Sequence, residues 1–436
     1  MIARLFLSTC LLLGAAVPLA ANAQLRVEVT DSEAEPMSIA IPAFQAQGEV
    51  AAEMAAEMAD VIRANLESSG LFRALDPDSF IERDLDIDYQ PTFADWRVIK
   101  ADALVTGRVT AQADNQLLVE FRLWDVFAGE QLTGLRFSTM PDNWRRIAHK
   151  ASDAVYQNLT GETGYFDSRI VFIDESGPKT DRRKRLAIMD QDGANKQFLL
   201  VGSDLVLTPR FDPKSQTLTY MSWESAVPQV YLYEIDTGRR ELLGNFPGMT
   251  FAPRFSPRGD RMVMSMMNRG NSDIYMLDLK TRSTSRLTTD PSIDVSASFS
   301  PDSRQIVFNS DRGGSPQLYT MRTDGTEVER ISFGEGRYSA PVWSPRGDKI
   351  AFVRSHKGRF GIGVMDPDGS NERILTESYM DEAPTWAPNG RVVLFSRTAR
   401  GTGVSEIWQV DVTGRNLRKA PTDGNGSDPA WSPLLD

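Results

Sequence analysis

The chain has almost no cysteine or histidine. Its 436 residues hold one cysteine, Cys10, and two histidines, His149 and His356. A lone cysteine cannot staple the fold with a disulfide. Without a His/Cys cluster the sequence offers no candidate transition-metal site. No glycine-rich loop follows a strand and opens a helix, so no nucleotide site is expected. There is no basic surplus either. Net charge is 48 − 59 = −11, which argues against nucleic acid and anionic membrane surfaces as main partners. Past residue 23 no long apolar run occurs, so no membrane span is expected in the mature chain.

The one apolar run opens the chain. Arg4 supplies a short positive region, Leu5 to Ala20 is apolar with Pro18 late in it, and Ala21-Asn22-Ala23 has the small-residue pattern of a cleavage site. Residues 1–23 therefore read as a secretory signal peptide cut after Ala23. A membrane span is the weaker reading, because the run is short and a cleavage site follows it. Removing 1–23 removes Arg4 and no acid, giving −12, and takes Cys10 with it. The product is expected to be soluble in an exported compartment without disulfides.

What the sequence does have is repetition. Pro-x-aromatic-Ser-Pro, or a close variant, ends in Pro213, Pro257, Pro301, Pro345, Pro388 and Pro433, at spacings of 44, 44, 44, 43 and 45 residues. A period of this length with strand-like content marks a β-propeller. Each unit has the same grammar. An aromatic strand ends in a turn such as Ser256-Pro-Arg-Gly259, where Pro presets φ and Gly takes the positive value. A second strand follows, as at Gln305–Asn309, then a third with an apolar-aromatic pair, as at Ile274-Tyr275. A hairpin such as Asp368-Gly369 leads to a short fourth strand. Four strands per unit make one blade.

The last unit stops three residues after Pro433, with only its first strand. A lone strand would be an open edge. The missing strands lie one period before the first full unit, in Ile170–Ile173 and Arg185–Asp190 through Gly193. The ring is therefore expected to close as six blades over residues 168–436, with the C-terminal strand completing a blade begun near Ser168.

Residues 24–36 are expected to form a flexible N-terminal tail, strand-like at first and then acidic. It is either an edge strand with a linker or a segment that docks by strand addition. Residues 37–160 have another character. Met37 to Phe44 reads as a buried strand. Val50, Met54, Met58, Val61, Ile62 and Leu66 recur at helical spacing, with Gly70 as the stop. A helix is expected around Phe93–Lys100, strands at Ala103–Val109, Leu117–Val126 and Leu132–Ser138, and a last helix marked by Trp144 to Leu159. Mixed helices and strands of this size predict a small α/β domain. Residues 161–167 read as the linker, a hinge into the all-β propeller.

No catalytic residue, cofactor or metal is expected. Gly-x-Ser-x-Gly is absent, which removes the hydrolase elbow of propeller-containing peptidases. His149 and His356 have no evident triad around them and read as surface residues. The Asp-Gly turns lack the later ligands of a calcium loop. What remains is a surface. The loops from each fourth strand to the next first strand should converge on one mouth of the channel. They carry Met249, Tyr338 and Tyr379 beside Asp294, Asp381 and Glu382, a mixture suited to capture of a peptide or loop.

Three stretches carry a family resemblance: Leu159-Thr-Gly-x-x-Gly-x-Phe166 leading into Arg169-Ile170, Met380-Asp-Glu-Ala-Pro-Thr-Trp-Ala-Pro-Asn-Gly390, and Thr422-Asp-Gly424 with Pro429-Ala-Trp-Ser-Pro433. With the order of leader, α/β domain and split-closure propeller, the whole mature chain resembles the TolB family. These are periplasmic components of the Tol-Pal system of Gram-negative bacteria. The resemblance implies a monomeric, non-enzymatic adaptor. Its channel face would bind the Pal lipoprotein, with Asp381 and Glu382 the best-matched positions and Met249, Thr250, Val295 and Ser296 in equivalent loops. Its tail, Gln24, Leu25, Arg26, Val27, Glu28 and Val29 onward, would engage TolA. Such proteins support outer-membrane constriction in division and envelope integrity. The alternative from the residues alone is a propeller enzyme, hydrolase or lyase, acting on envelope glycans or peptides.

Overall fold

The computed structural model describes residues 25–27, 35–83, 85–178, 181–200, 205–225, 227–244, 246, 249–268 and 270–435. The leader with Ala23, and Gln24, Glu28 and Val29 of the tail, lie outside the described residues.

The α/β domain runs β1 (Met37–Ala40), β2 (Gln45–Gln47), α1 (Glu49–Ser68), β3 (Phe72–Ala74), α2 (Phe93–Val98), β4 (Ala103–Ala111), β5 (Leu117–Asp125), β6 (Glu130–Thr139) and α3 (Trp144–Thr160). The sheet order is β3-β1-β4-β5-β6, with β2 beside β4. β1 pairs in parallel with β3 and β4, whereas β4, β5 and β6 are antiparallel. The strand expected over Met37–Phe44 breaks after Ala40. Pro42 has no N–H to give a ladder. Phe44 still reaches the core, across Gly107, where a Cβ would come within 2.4 Å of its ring. The α1 stripe is core from Met54 to Leu66, but Val50, at the helix start, is exposed. α2 ends at Val98, short of the expected Lys100, which turns to φ +60°.

The propeller has six four-stranded blades. Their inner strands are Val206–Phe211, Met249–Phe255, Asp294–Phe299, Arg337–Trp343, Met380–Trp386 and Asn425–Trp431, numbered here as blades 1 to 6. Blade 6 is split as expected. Asn425–Trp431 pairs with Arg169–Ser176, in the register Trp431↔Ile170. The seam is tied further by Ser432 N–H to the Arg169 carbonyl (2.9 Å), Arg169 N–H to Ser432 Oγ (2.8 Å) and Trp431 Nε1 to Ser168 Oγ (2.8 Å). Every inner strand shifts register near its middle. At this bulge Thr208, Ser296, Ala340, Ala383 and Asp428 take φ between +48° and +60°. Each left-handed non-glycine residue costs about 1 kcal/mol, so the ring accepts strain where its strands bend beside the channel.

The connector is not a loose hinge. Tyr165 and Phe166 are fully buried and meet Tyr156 of α3 edge to face, and Tyr165 meets Trp431 of the closing strand in the same way. One continuous core joins α1, α3 and the inner side of blades 5 and 6. The α/β domain sits on the propeller face formed by first-to-second and third-to-fourth strand turns. There Glu162 pairs with Arg346 and Arg391, Asn389 donates to the Thr163 carbonyl, and Asn416 donates to the Ser68 carbonyl. The opposite face, with the loops singled out from sequence, stays open.

Candidate functional site

The repeat fixes where each loop residue points. Counting back from Pro209, Ala297, Pro341, Pro384 and Pro429, the residue three positions earlier faces the packed space between blades, and its successor turns outward. Asp294, Tyr338 and Asp381 all hold the inward position and are fully buried. Asp294 is clasped by Arg312 at 3.0 and 3.1 Å. Asp381 accepts from Arg397 Nε and Nη2 at 2.7 and 2.8 Å and from Thr376 and Ser378 hydroxyls at 2.6 Å. The Tyr338 hydroxyl donates to Glu372 Oε1 at 2.8 Å, and burial first, then that carboxylate, push it up to about 12. The expectation that these three side chains lie on the surface is corrected: they are struts that hold the loops. Met249 and Thr250 open the inner strand of blade 2, in register with Met267 and Met266.

Val295, Ser296, Tyr379 and Glu382 are accessible. Glu382 is exposed to the channel yet surrounded by protein atoms. Desolvation first, and the Asp428 charge second, raise its carboxyl above the usual range. The Ser296 N–H donates to Ser265 Oγ at 3.2 Å, fixing the bulge of blade 3 against blade 2. The same face exposes Ile293, Phe333 and Tyr379 on the loops between blades, and Met267 and Val227 at second-to-third strand hairpins. Sequence reading passed over Ser339 and Ser427, which share the outward register of Val295 and Glu382. The proline count alone would have found them.

The tail lands on the other side. The Val27 N–H donates to the Leu159 carbonyl at 2.7 Å, extending the chain along the end of α3. Arg26 Nε reaches the Thr160 carbonyl at 3.3 Å. Val27 is buried and Leu25 packs on the shared core. The Arg26 guanidinium lies over Gly161, where a Cβ would come within 1.8 Å of it. Gly161 also caps α3 with φ +75°, a value that glycine adopts freely. Arg26 and Val27 thus line a cavity of about 870 Å³ with Glu162, Arg346, Asn389 and Arg391. Leu25, Arg26 and Val27 are tied down, and of the expected flexible tail only these three, with Glu35 and Pro36, are described.

His149 is buried, not on the surface, and sits where α3 meets blade 6. Its Nε2 lies 3.7 Å from Asp192 Oδ2, and one ligand atom each of His149, Asp190 and Asp192 lie within 4.8 Å of one another. That spacing could seat a divalent ion. Asn65 Nδ2, however, donates to Nδ1 at 2.9 Å, which leaves Nε2 carrying the proton in the neutral ring. Asp192 is already paired with Arg145 at 2.6 Å, and Asn65 Oδ1 accepts from Gln191 of the propeller at 2.8 Å. The group acts as a polar clasp between domains, and desolvation lowers the His149 pKa. His356 ends the second strand of blade 4, 3.4 Å from Glu335.

Fold and site define a class: a two-domain β-propeller protein with an open channel face and, behind it, an N-terminal segment seated at the domain junction. The model of the TolB beta propeller domain matches residues 156–435, and that of the TolB amino-terminal domain matches residues 25–132. TolB from Acinetobacter baumannii is 30% identical in its crystal structure, with a TM-score of 0.82 over 92% of this chain and 97% of that one. A putative TolB from Agrobacterium tumefaciens is 22% identical over 61% of this chain and 92% of that one, at a TM-score of 0.49. The chain belongs to the TolB family. It is a Tol-Pal component, and family membership implies a binding protein, not an enzyme. The TolB family is periplasmic. Among the described residues no helix is long and apolar enough to cross a membrane.

Proposed function

We propose that this protein is a periplasmic adaptor that holds Pal on the open channel face and TolA through its N-terminal tail. In that role it supports outer-membrane invagination during division and envelope integrity. The observation that carries the reading is the separation of the two surfaces. Exposed apolar side chains and the Glu382 carboxylate occupy the face away from the α/β domain, and Leu25–Val27 sit at the junction behind it. Partner contact falls to Tyr379, Glu382, Val295 and Ser296, with Met249 and Thr250 at the mouth of blade 2. Asp294, Tyr338 and Asp381 act through the loops they brace.

Calorimetric titration of residues 24–436 with the periplasmic domain of the cognate Pal tests it. Tight one-to-one binding is expected. Glu382→Lys reverses a charge facing the interface and should weaken binding by about tenfold or more. Absence of binding by the parent protein would overturn the adaptor reading.

A further inference from the structure

Just past each bulge, the residue after the repeat proline, or after Ala297 in blade 3, faces the channel half that opens toward the α/β domain. These residues are Arg210, Arg254, Ser298, Val342, Thr385 and Ala430. They line a cavity of about 740 Å³. Its rim is the ring of aromatic-Ser-Pro turns, including Trp343, Trp386 and Trp431, and it adjoins the tail dock, with which it shares Pro345 and Pro388.

Two arginines on adjacent blades face this space without an ion-pair partner. Arg210 is 8% exposed and spends one donor, Nη1, on the Pro209 carbonyl at 2.6 Å. Its Nε is buried with no partner, and so is that of Arg254. Among the described residues Arg254 has no hydrogen-bond or ion-pair partner, and no carboxylate lies within ion-pair distance of either guanidinium. Asp428, one step nearer the open face, is the acid whose charge reaches Arg210. Burial first, and then the charge of Arg210, push the Arg254 guanidinium well below its ordinary value. Arginine does not escape such a position by losing its proton. An unpaired buried charge is costly, and at Arg254, half-buried with its Nε enclosed, the like charge of Arg210 adds to that cost.

We infer that this inner half of the channel is a binding site for a small oxyanion, a carboxylate or phosphate group, gripped by Arg210 and Arg254. The five N–H donors of a guanidinium suit either group. The Ser298 and Thr385 side chains lie on the same ring. The aromatic rim has room for an apolar body attached to the anion. The site is distinct from the open face, so it stands or falls independently of Pal binding.

The test is titration of residues 24–436 with sodium phosphate, and separately with sodium acetate, at ionic strength held constant with sodium chloride. Tryptophan fluorescence is the readout, because Trp343, Trp386 and Trp431 line the cavity. A saturable change with one or both anions is expected, and the stronger of the two identifies the group preferred. Arg210→Gln and Arg254→Gln should each weaken it about tenfold or more. Lys280→Gln, on an exposed turn of blade 2 outside the cavity, should leave it within about twofold. No saturable change beyond chloride, or one unaltered in both arginine variants, would overturn the inference. Arg254→Gln should also melt no lower than the parent in anion-free buffer, since it removes an unpaired charge. A clear fall would mean the guanidinium already has a protein partner, which would equally overturn it.

Discussion

Asp381 and Glu382 are neighbours in sequence with opposite fates. Asp381 is buried under four hydrogen bonds, two of them from Arg397. Asp381→Ala should destabilise the protein by about 3–5 kcal/mol, because it strands the guanidinium; thermal melting reads this. Glu382→Lys should leave the melting temperature nearly unchanged while weakening Pal binding. Asp153 offers a pH test. Its carboxyl accepts from the Phe166 and Asp167 N–H groups, yet burial raises it from 3.8 to about 7. A carboxyl raised in the folded state favours folding while protonated. Its share of stability is therefore present below about pH 4 and lost as pH climbs toward and through 7. Against parallel melts of Asp153→Asn, the parent should lose about 2–4 kcal/mol more between pH 4 and pH 8. Equal slopes would contradict the assignment. At this scale the sequence was only half legible. It identified the loops, but not that Arg312, in the turn after the second strand of its blade, and Arg397, on the second strand of its own, claim Asp294 and Asp381.

At the scale of elements the repeat was the strongest signal. The phase of the aromatic-Ser-Pro phrases gave the blade boundaries, and the incomplete last copy matched the strands missing at Ile170 and Arg185. Truncation after Gly424 would leave Arg169–Ser176 without its inner partner, and should abolish the near-ultraviolet circular dichroism of the packed propeller. The connector was misread, because glycines and small polar residues at 161–164 conceal that Tyr165 and Phe166 lock into the shared core. Gly161→Ala should expose what glycine does there. It places a Cβ against the Arg26 guanidinium at a left-handed cap, and should cost about 1 kcal/mol. Hydrogen exchange at the Val27 amide should quicken. Arg26→Ala should quicken the same exchange while leaving global stability within about 0.5 kcal/mol.

Across the whole molecule, the two domains are one packed unit. Asn65, His149 and Gln191 form a polar network through the interface, and Arg145 and Glu162 add ion pairs on its flanks. A tail seated at that junction is therefore tied to blades 5 and 6 through continuous core, not through a swivel. Sequence alone could not show which propeller face the first domain covers, since turn residues on both faces look alike. If the tail is the site of TolA and the channel face the site of Pal, each partner must alter the other's affinity by the same factor. The decisive measurement is the affinity of residues 24–436 for the TolA periplasmic domain, with and without saturating Pal. The account predicts a change of at least about fivefold, matched by an equal change in Pal affinity when TolA is saturating. Equal TolA affinity in both conditions would contradict it.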